Sequence, residues 1–227
     1  MTKLQLIYHI ALMSSFNVLP GALQSGPLAQ RARSRFDRQI TETLADFVRD
    51  HNGSLFQDTP DRLVLETLIL PFYQLSPRHN KIVFVGCDWY TEAYTRLFAH
   101  KTYVTIEPDA QRAKHGAARH QIGPMRTMGG AVKDGSVDAI ICNGVIGWGL
   151  NTVAEADASF AAAWQALRPG GHLIIGFNDR PPHNPFRLDE VPSLSGFAPL
   201  TFPPLDASEH RVAGELQHVY RFYTKPD

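Results

Sequence analysis

The sequence predicts a doubly wound α/β fold, a mostly parallel sheet covered by helices on both faces. Three observations predict it. From Lys81 onward, runs of strand length alternate with helical stretches: IVFVGC, then residues 92–99, YVTIE, then 109–119, VDAIICNGVI, 154–167 and HLIIGFN. These strand candidates are almost continuously apolar, as strands buried on both faces must be. Prolines at 181, 182, 185, 192, 199, 203 and 204 then break the rhythm before a last alternating strand, HVYRFYTK.

Ahead of this alternation the chain reads as helical, giving two regions: an extension over 1–80 packed on the core, and an α/β domain over 81–227. Residues 4–23 are apolar but interrupted by His9, Ser14, Ser15 and Asn17, so they predict an amphipathic helix and not a spanning one. Packing on the domain is the plain reading, and peripheral contact with a membrane is the alternative. Phe36, Ile40, Leu44 and Val48 form a helical apolar row beside Arg31, Arg33, Arg35 and Arg38. Asn52-Gly53 closes that helix, and Thr59-Pro60-Asp61 opens another that Pro71 or Pro77 should end.

At 227 residues, one domain with an extension is expected. Twenty-two basic and 22 acidic residues cancel, which predicts a small-molecule partner and no nucleic acid. Cys87 and Cys142 lie in apolar runs and read as core thiols of a cytoplasmic protein, with a membrane-peripheral location as the alternative. His115 and His120 are five apart, off the one-face spacing of helical ligands, and no metal site is expected. A homodimer is compatible with this composition.

In an open parallel sheet, ligands bind beyond the carboxyl ends of the strands, so the residues just after each apolar run carry the chemistry. After the first run comes Gly86-Cys87-Asp88-Trp89-Tyr90-Thr91, where glycine permits close backbone approach and a tight turn. After the second comes Glu107-Pro108-Asp109, about 20 residues on, where a carboxylate suits the hydroxyls of a ribose. The alternative for Glu107 is a carboxylate that stabilises the following turn. Asp88 reads equally as a ligand or a helix cap. Trp148, flanked by Gly147 and Gly149, reads as a pocket wall or as packing. Asp134 and Asp138 read as turn and strand-start residues.

DGSVDAIICNGV, a helix, and then ALRPGGHLIIG resemble the later motifs of class I S-adenosylmethionine-dependent methyltransferases in order and separation. The resemblance spans residues 81–179, and its most distinctive part is the Pro169-Gly170-Gly171 turn. It implies a Rossmann-like, mostly parallel seven-stranded sheet ending in an antiparallel pair near residues 200–202 and 218–223. It also implies S-adenosylmethionine as cofactor and S-adenosylhomocysteine as product. The first motif departs from the family: aligned on Gly86, Phe84 stands at the acidic place, and Asp88 and Tyr90 stand at the second and third glycines.

By this resemblance, Gly86, Cys87, Asp88, Trp89, Glu107, Pro108, Asn143 and Gly144 hold the cofactor, with Asn143 and Gly144 near its methyl-bearing sulfur. Tyr90 and Trp148 line the acceptor pocket. If the acceptor is a hydroxyl, His183, Asp179 and Tyr94 are the base candidates. The acceptor would be a small molecule or a glycan- or lipid-linked intermediate, methylated by in-line displacement. Two other classes stand beside this one. A nicotinamide dehydrogenase should show G-x-G-x-x-G where this chain has GCDWYT. A non-catalytic methyltransferase-like subunit would have its cofactor site filled by Trp89 and Tyr90.

Overall fold

The computed structural model describes residues 59–227. The helices expected over 4–23 and 31–48, with the membrane contact assigned to the first, lie outside the described residues.

Eight strands form one sheet: β1 (Lys81–Val85), β2 (Thr102–Glu107), β3 (Arg119–Ile122), β4 (Val137–Asn143), β5 (Leu167–Asn178), β6 (Ala198–Pro199), β7 (Glu209–Arg211) and β8 (His218–Thr224). The order is β3-β2-β1-β4-β5-β8-β6, with β7 also paired to β8. β1 to β5 run parallel, and β8 returns antiparallel along β5, from His172↔Thr224 to Asn178↔His218. β6 pairs with β8 at Thr224 and Tyr223, and β7 takes over from Arg221 to Val219, so the two share one outer edge. The expected width of seven strands is therefore kept, and the eighth strand is a second segment in the last position. Strand order reverses across β1 and β4, which places a ligand crevice at their carboxyl ends.

Helix α1 (Pro60–Val64) opens with proline in its first turn, and α2 (Leu70–Leu75) completes it through a wide π turn at Leu65–Ile69. Pro71 has no N–H to give, and the i→i−5 pairing of that turn absorbs the defect without ending the helix. The segment buries Leu65, Ile69, Leu70 and Tyr73 against Phe84, Ile141, Ile174, Phe202, Tyr220 and Phe222. It covers one face of the sheet. The other face packs under the helix Val153–Ala166 through Ala156, Phe160 and Ala163. Thr152 and Glu155 cap that helix reciprocally.

The expected helices over 92–99 and 109–119 are shorter, reduced to α3 (Tyr94–Leu97) and to 3₁₀ turns at Trp89–Thr91 and Ala110–His115. Arg119 belongs instead to β3. That edge strand, RHQI, is polar and partly exposed, so no apolar run marked it. The Pro-Gly-Gly turn is a bulge inside β5, where Val137↔Leu167 is followed by Ala139↔His172.

Candidate cofactor and acceptor site

Side chains alternate along a strand, so one face of the sheet can be followed to its carboxyl edge. Ile82 and Phe84 lead to Gly86, Tyr103 and Thr105 to Glu107, Ala139 and Ile141 to Asn143, and Ile174 to Gly176 and Asn178. On β8, which runs the other way, Phe222 and Tyr220 lead to His218. The apolar members belong to the core under the Pro60–Leu75 segment. The tips beyond them are polar or bare.

Gly86 turns the chain out of β1 at φ +90°, in the left-handed region that favours glycine. Its N–H donates to Ile106 O at 2.8 Å. A Cβ placed there would meet only Val145, at 3.6 Å, and one placed at Gly144 would meet nothing within 4 Å. Among the described residues, the space before the ends of β1 and β4 is open. Asp88 supplies the order that further glycines would have removed: it accepts from Trp89 N at 2.7 Å, its own N–H donates to Thr91 Oγ1 at 3.0 Å, and Arg112 lies 3.3 Å from its carboxylate. Both of its sequence readings remain compatible with this, but the cap is the contact made.

Trp89 is 55% exposed, and the Arg62 guanidinium lies 4.4 Å above the Tyr90 ring. Neither placement favours the expected filling of the cofactor site by Trp89 and Tyr90 in a non-catalytic subunit.

Glu107 is buried, 7% exposed. Cys87 N donates to Oε2 at 3.2 Å and Asp109 N to Oε1 at 2.9 Å. A carboxylate offers about four acceptor positions, so among the described residues each oxygen keeps one unfilled. The turn-stabilising and ligand-binding readings are therefore compatible in one side chain. Pro108 is exposed beside it. Ile122, opposite Glu107 in the register of β2 with β3, is an exposed apolar side chain that sequence reading missed. No carboxylate follows β3, since Gly123-Pro124-Met125 occupies the turn.

Asn143, the last residue of β4, lies across Gly176 of β5 and meets His218 of β8 at 3.1 Å (Oδ1 to Nε2). His218 Nδ1 lies 2.7 Å from Asn178 Oδ1. Burial pushes the imidazole down to about 4, with Asp61 acting to raise it and Arg62 to lower it. His218 was missed because it opens HVYRFYT, a strand whose period is otherwise unremarkable.

The three base candidates fare differently. His183 is half-buried and stacks on Trp148 with ring centroids 5.1 Å apart and planes 13° apart. Gly147, at φ +83°, brings the loop against the His183 backbone, where a Cβ would sit 2.3 Å from its carbonyl oxygen. Trp148 is 68% exposed, which excludes the packing role. Asp179 pairs with Arg211 through Oδ2 at 2.8 Å and accepts from Asn184 on Oδ1 at 2.7 Å, so both of its carboxylate oxygens are already engaged. Tyr94 is corrected as a base: it is buried, accepts from Arg62 at 3.0 Å, donates to Glu66, and burial raises its pKa well above the ordinary value. Glu66, missed in the sequence although Arg62 lies four residues before it, is pushed up to about 8 by burial, against the Tyr94 hydrogen bond and the nearby Arg62 charge.

Cys87 and Cys142 are free and buried, and burial pushes them up to about 11 and about 12. They are core thiols. Among the described residues, no group of three or more histidine, cysteine, aspartate or glutamate side chains is placed to hold a metal.

Open space before two strand-end glycines, a pinned carboxylate with free acceptor positions, and exposed aromatics at the rim fit a nucleoside-bearing cofactor. The class is that of doubly wound nucleotide-binding enzymes. Residues 84–175 match a family model described as a methyltransferase domain. Over these residues the chain is similar to a methyltransferase domain.

Among solved structures, the fold is similar to the N-methyltransferase NodS from Bradyrhizobium japonicum WM9 in complex with S-adenosylhomocysteine. The TM-score is 0.59 at 15% identity, covering 83% of this chain and 100% of that one. It is also similar to 1,6-didemethyltoxoflavin-N1-methyltransferase from Burkholderia thailandensis, with TM-score 0.51 at 15% identity, covering 89% and 92% of the two chains. A TehB-like methyltransferase from Corynebacterium glutamicum gives TM-score 0.51 at 15% identity, covering 82% and 97%. At such identities the likeness is one of fold. No curated protein matches the chain by sequence.

Proposed function

We propose that this methyltransferase acts on a small-molecule acceptor by in-line displacement, in a reducing, cytoplasmic setting. The observation that carries the proposal is Glu107, held by Cys87 and Asp109 with one acceptor position free on each oxygen, beside the open space at Gly86 and Gly144. When bound, S-adenosylmethionine supplies an electrophilic methyl group on a sulfonium. Glu107 would take the ribose hydroxyls, the backbone at Gly86 and Cys87 would lie against the cofactor, and Pro108 and Ile122 would offer apolar surface to the base. Asp88 orders the loop through its cap.

Transfer from a sulfonium needs alignment and exclusion of water more than acid-base chemistry. Trp148, from the loop after β4, stacks on His183, from the loop after β5; this pair would hold a flat acceptor, and His183 is the group left to take a proton if the acceptor is a hydroxyl. The balanced charge and the two free buried thiols support a small acceptor and a reducing compartment. The Burkholderia neighbour is a small-molecule methyltransferase with its acceptor bound. Incubation of the full chain with methyl-labelled S-adenosylmethionine and a cell extract should place label in the small-molecule fraction. Label confined to protein or nucleic acid would contradict the acceptor class.

A further inference from the structure

The Asn143 amide is buried, and one of its two terminal atoms meets His218. Its other terminal atom has no hydrogen-bond partner among the described residues. This reach is deliberate in the backbone: a Cβ at position 176 would lie 1.9 Å from Asn143 Oδ1, so only glycine there lets the amide cross β5. His218 is 4% exposed and lies between the amides of Asn143 and Asn178, both at the last position of a strand. A neutral imidazole has one N–H and one lone pair. Two amide oxygens therefore cannot both face it, and one asparagine must turn its NH₂ to the ring.

We propose that His218 is a positioning residue that fixes the orientation of the Asn143 amide, so that its carbonyl oxygen faces the methyl-bearing sulfur. The proposal rests on the methyltransferase reading of this edge. With Nδ1–H donating to Asn178 Oδ1, the shorter of the two contacts, Nε2 presents its lone pair and accepts from the Asn143 NH₂. The oxygen of that amide is then the atom left toward the carboxyl edge. Its partial negative charge suits a sulfonium and gains less from the neutral sulfur of the product. The opposite orientation would aim the NH₂ at a cation. Burial, which holds His218 near 4, keeps the ring neutral and the arrangement single-valued at neutral pH.

Two measurements on the full chain test this. A nitrogen-15 correlation spectrum of the histidine rings should show His218 protonated on Nδ1 and bare on Nε2 at pH 7. Calorimetry should show that His218→Phe lowers the ratio of S-adenosylmethionine to S-adenosylhomocysteine affinity by about threefold to tenfold, the range of one net hydrogen bond. Asn178→Leu keeps the buried ring but removes its anchor, and should lower the same ratio if the phenylalanine variant does not fold. A ring protonated on Nε2, or a ratio unchanged in the folded variants, would overturn the proposal. Absence of binding of either compound by the folded wild type would instead overturn the cofactor reading beneath it, whatever the tautomer.

Discussion

The two edges of the sheet each carry a carboxylate, and they are satisfied differently. At the amino edge Asp138 accepts from Asn80 N and Lys81 N, both at 2.8 Å, and from the Arg168 guanidinium. Burial acts to raise its pKa, but these donors outweigh it and hold the carboxyl below the ordinary value. At the carboxyl edge, among the described residues, Glu107 accepts two backbone N–H groups, one on each oxygen. Asp138 accepts three donors from within the chain, one of them a charged guanidinium, and ties β1, β4 and the β5 bulge together. Glu107 is pinned but incompletely used. The contrast separates groups that hold the fold from groups kept for a ligand, and it can be broken by measurements on either edge.

The largest expected effect is on stability in acid. Burial holds His79 and His172 at the amino edge, and His218 at the other, near 4, against an ordinary value of 6.5. Above pH 6.5 these rings are neutral in the folded and unfolded chain alike. Below it the unfolded chain takes up protons first, so stability falls as pH drops from about 6.5 to about 4, by roughly 3 kcal/mol per ring. Denaturant unfolding across that range should show the loss, and His172→Gln should flatten it without weakening S-adenosylhomocysteine binding at pH 7.

Next in size, Asp138→Ala strands the Arg168 guanidinium and two backbone N–H groups, and should cost about 3 kcal/mol in the same unfolding measurement. A loss below about 0.5 kcal/mol would remove the distinction between the edges. Gly176→Ala drives a methyl group into Asn143 Oδ1 and Tyr220, the latter 2.8 Å from the added carbon, and should cost about 1–3 kcal/mol of stability. It should also lower cofactor affinity, linking damage at one tip to its neighbour. The smallest effect is expected at Trp148. Its ring is exposed, so Trp148→Ala should leave stability within about 0.5 kcal/mol. If the ring holds the acceptor, KM for that compound should rise.

Much of the sheet was legible because strands covered on both faces must be apolar throughout, and IVFVGC, YVTIE and VDAIICN are. β3 was not, because an edge strand such as RHQI is half solvated and has no such constraint. Glu107 was legible from its place after a strand and its distance from Gly86. His218 was not, since its partners Asn143 and Asn178 lie 75 and 40 residues away and meet it only once β8 returns along β5. Tyr94 was misread for the complementary reason: its place after the first strand set it near the edge, while its side chain points under the sheet toward Arg62 and Glu66.

Calorimetric titration of the wild type and of Glu107→Ala with S-adenosylhomocysteine, each checked for a folded state, tests the central contrast most directly. The wild type should bind saturably and the variant about 1–3 kcal/mol more weakly, the contribution of lost charge-assisted hydrogen bonds to the ribose. Equal affinities would show that the free acceptor positions of Glu107 face no ligand, and that the cofactor lies elsewhere on the edge.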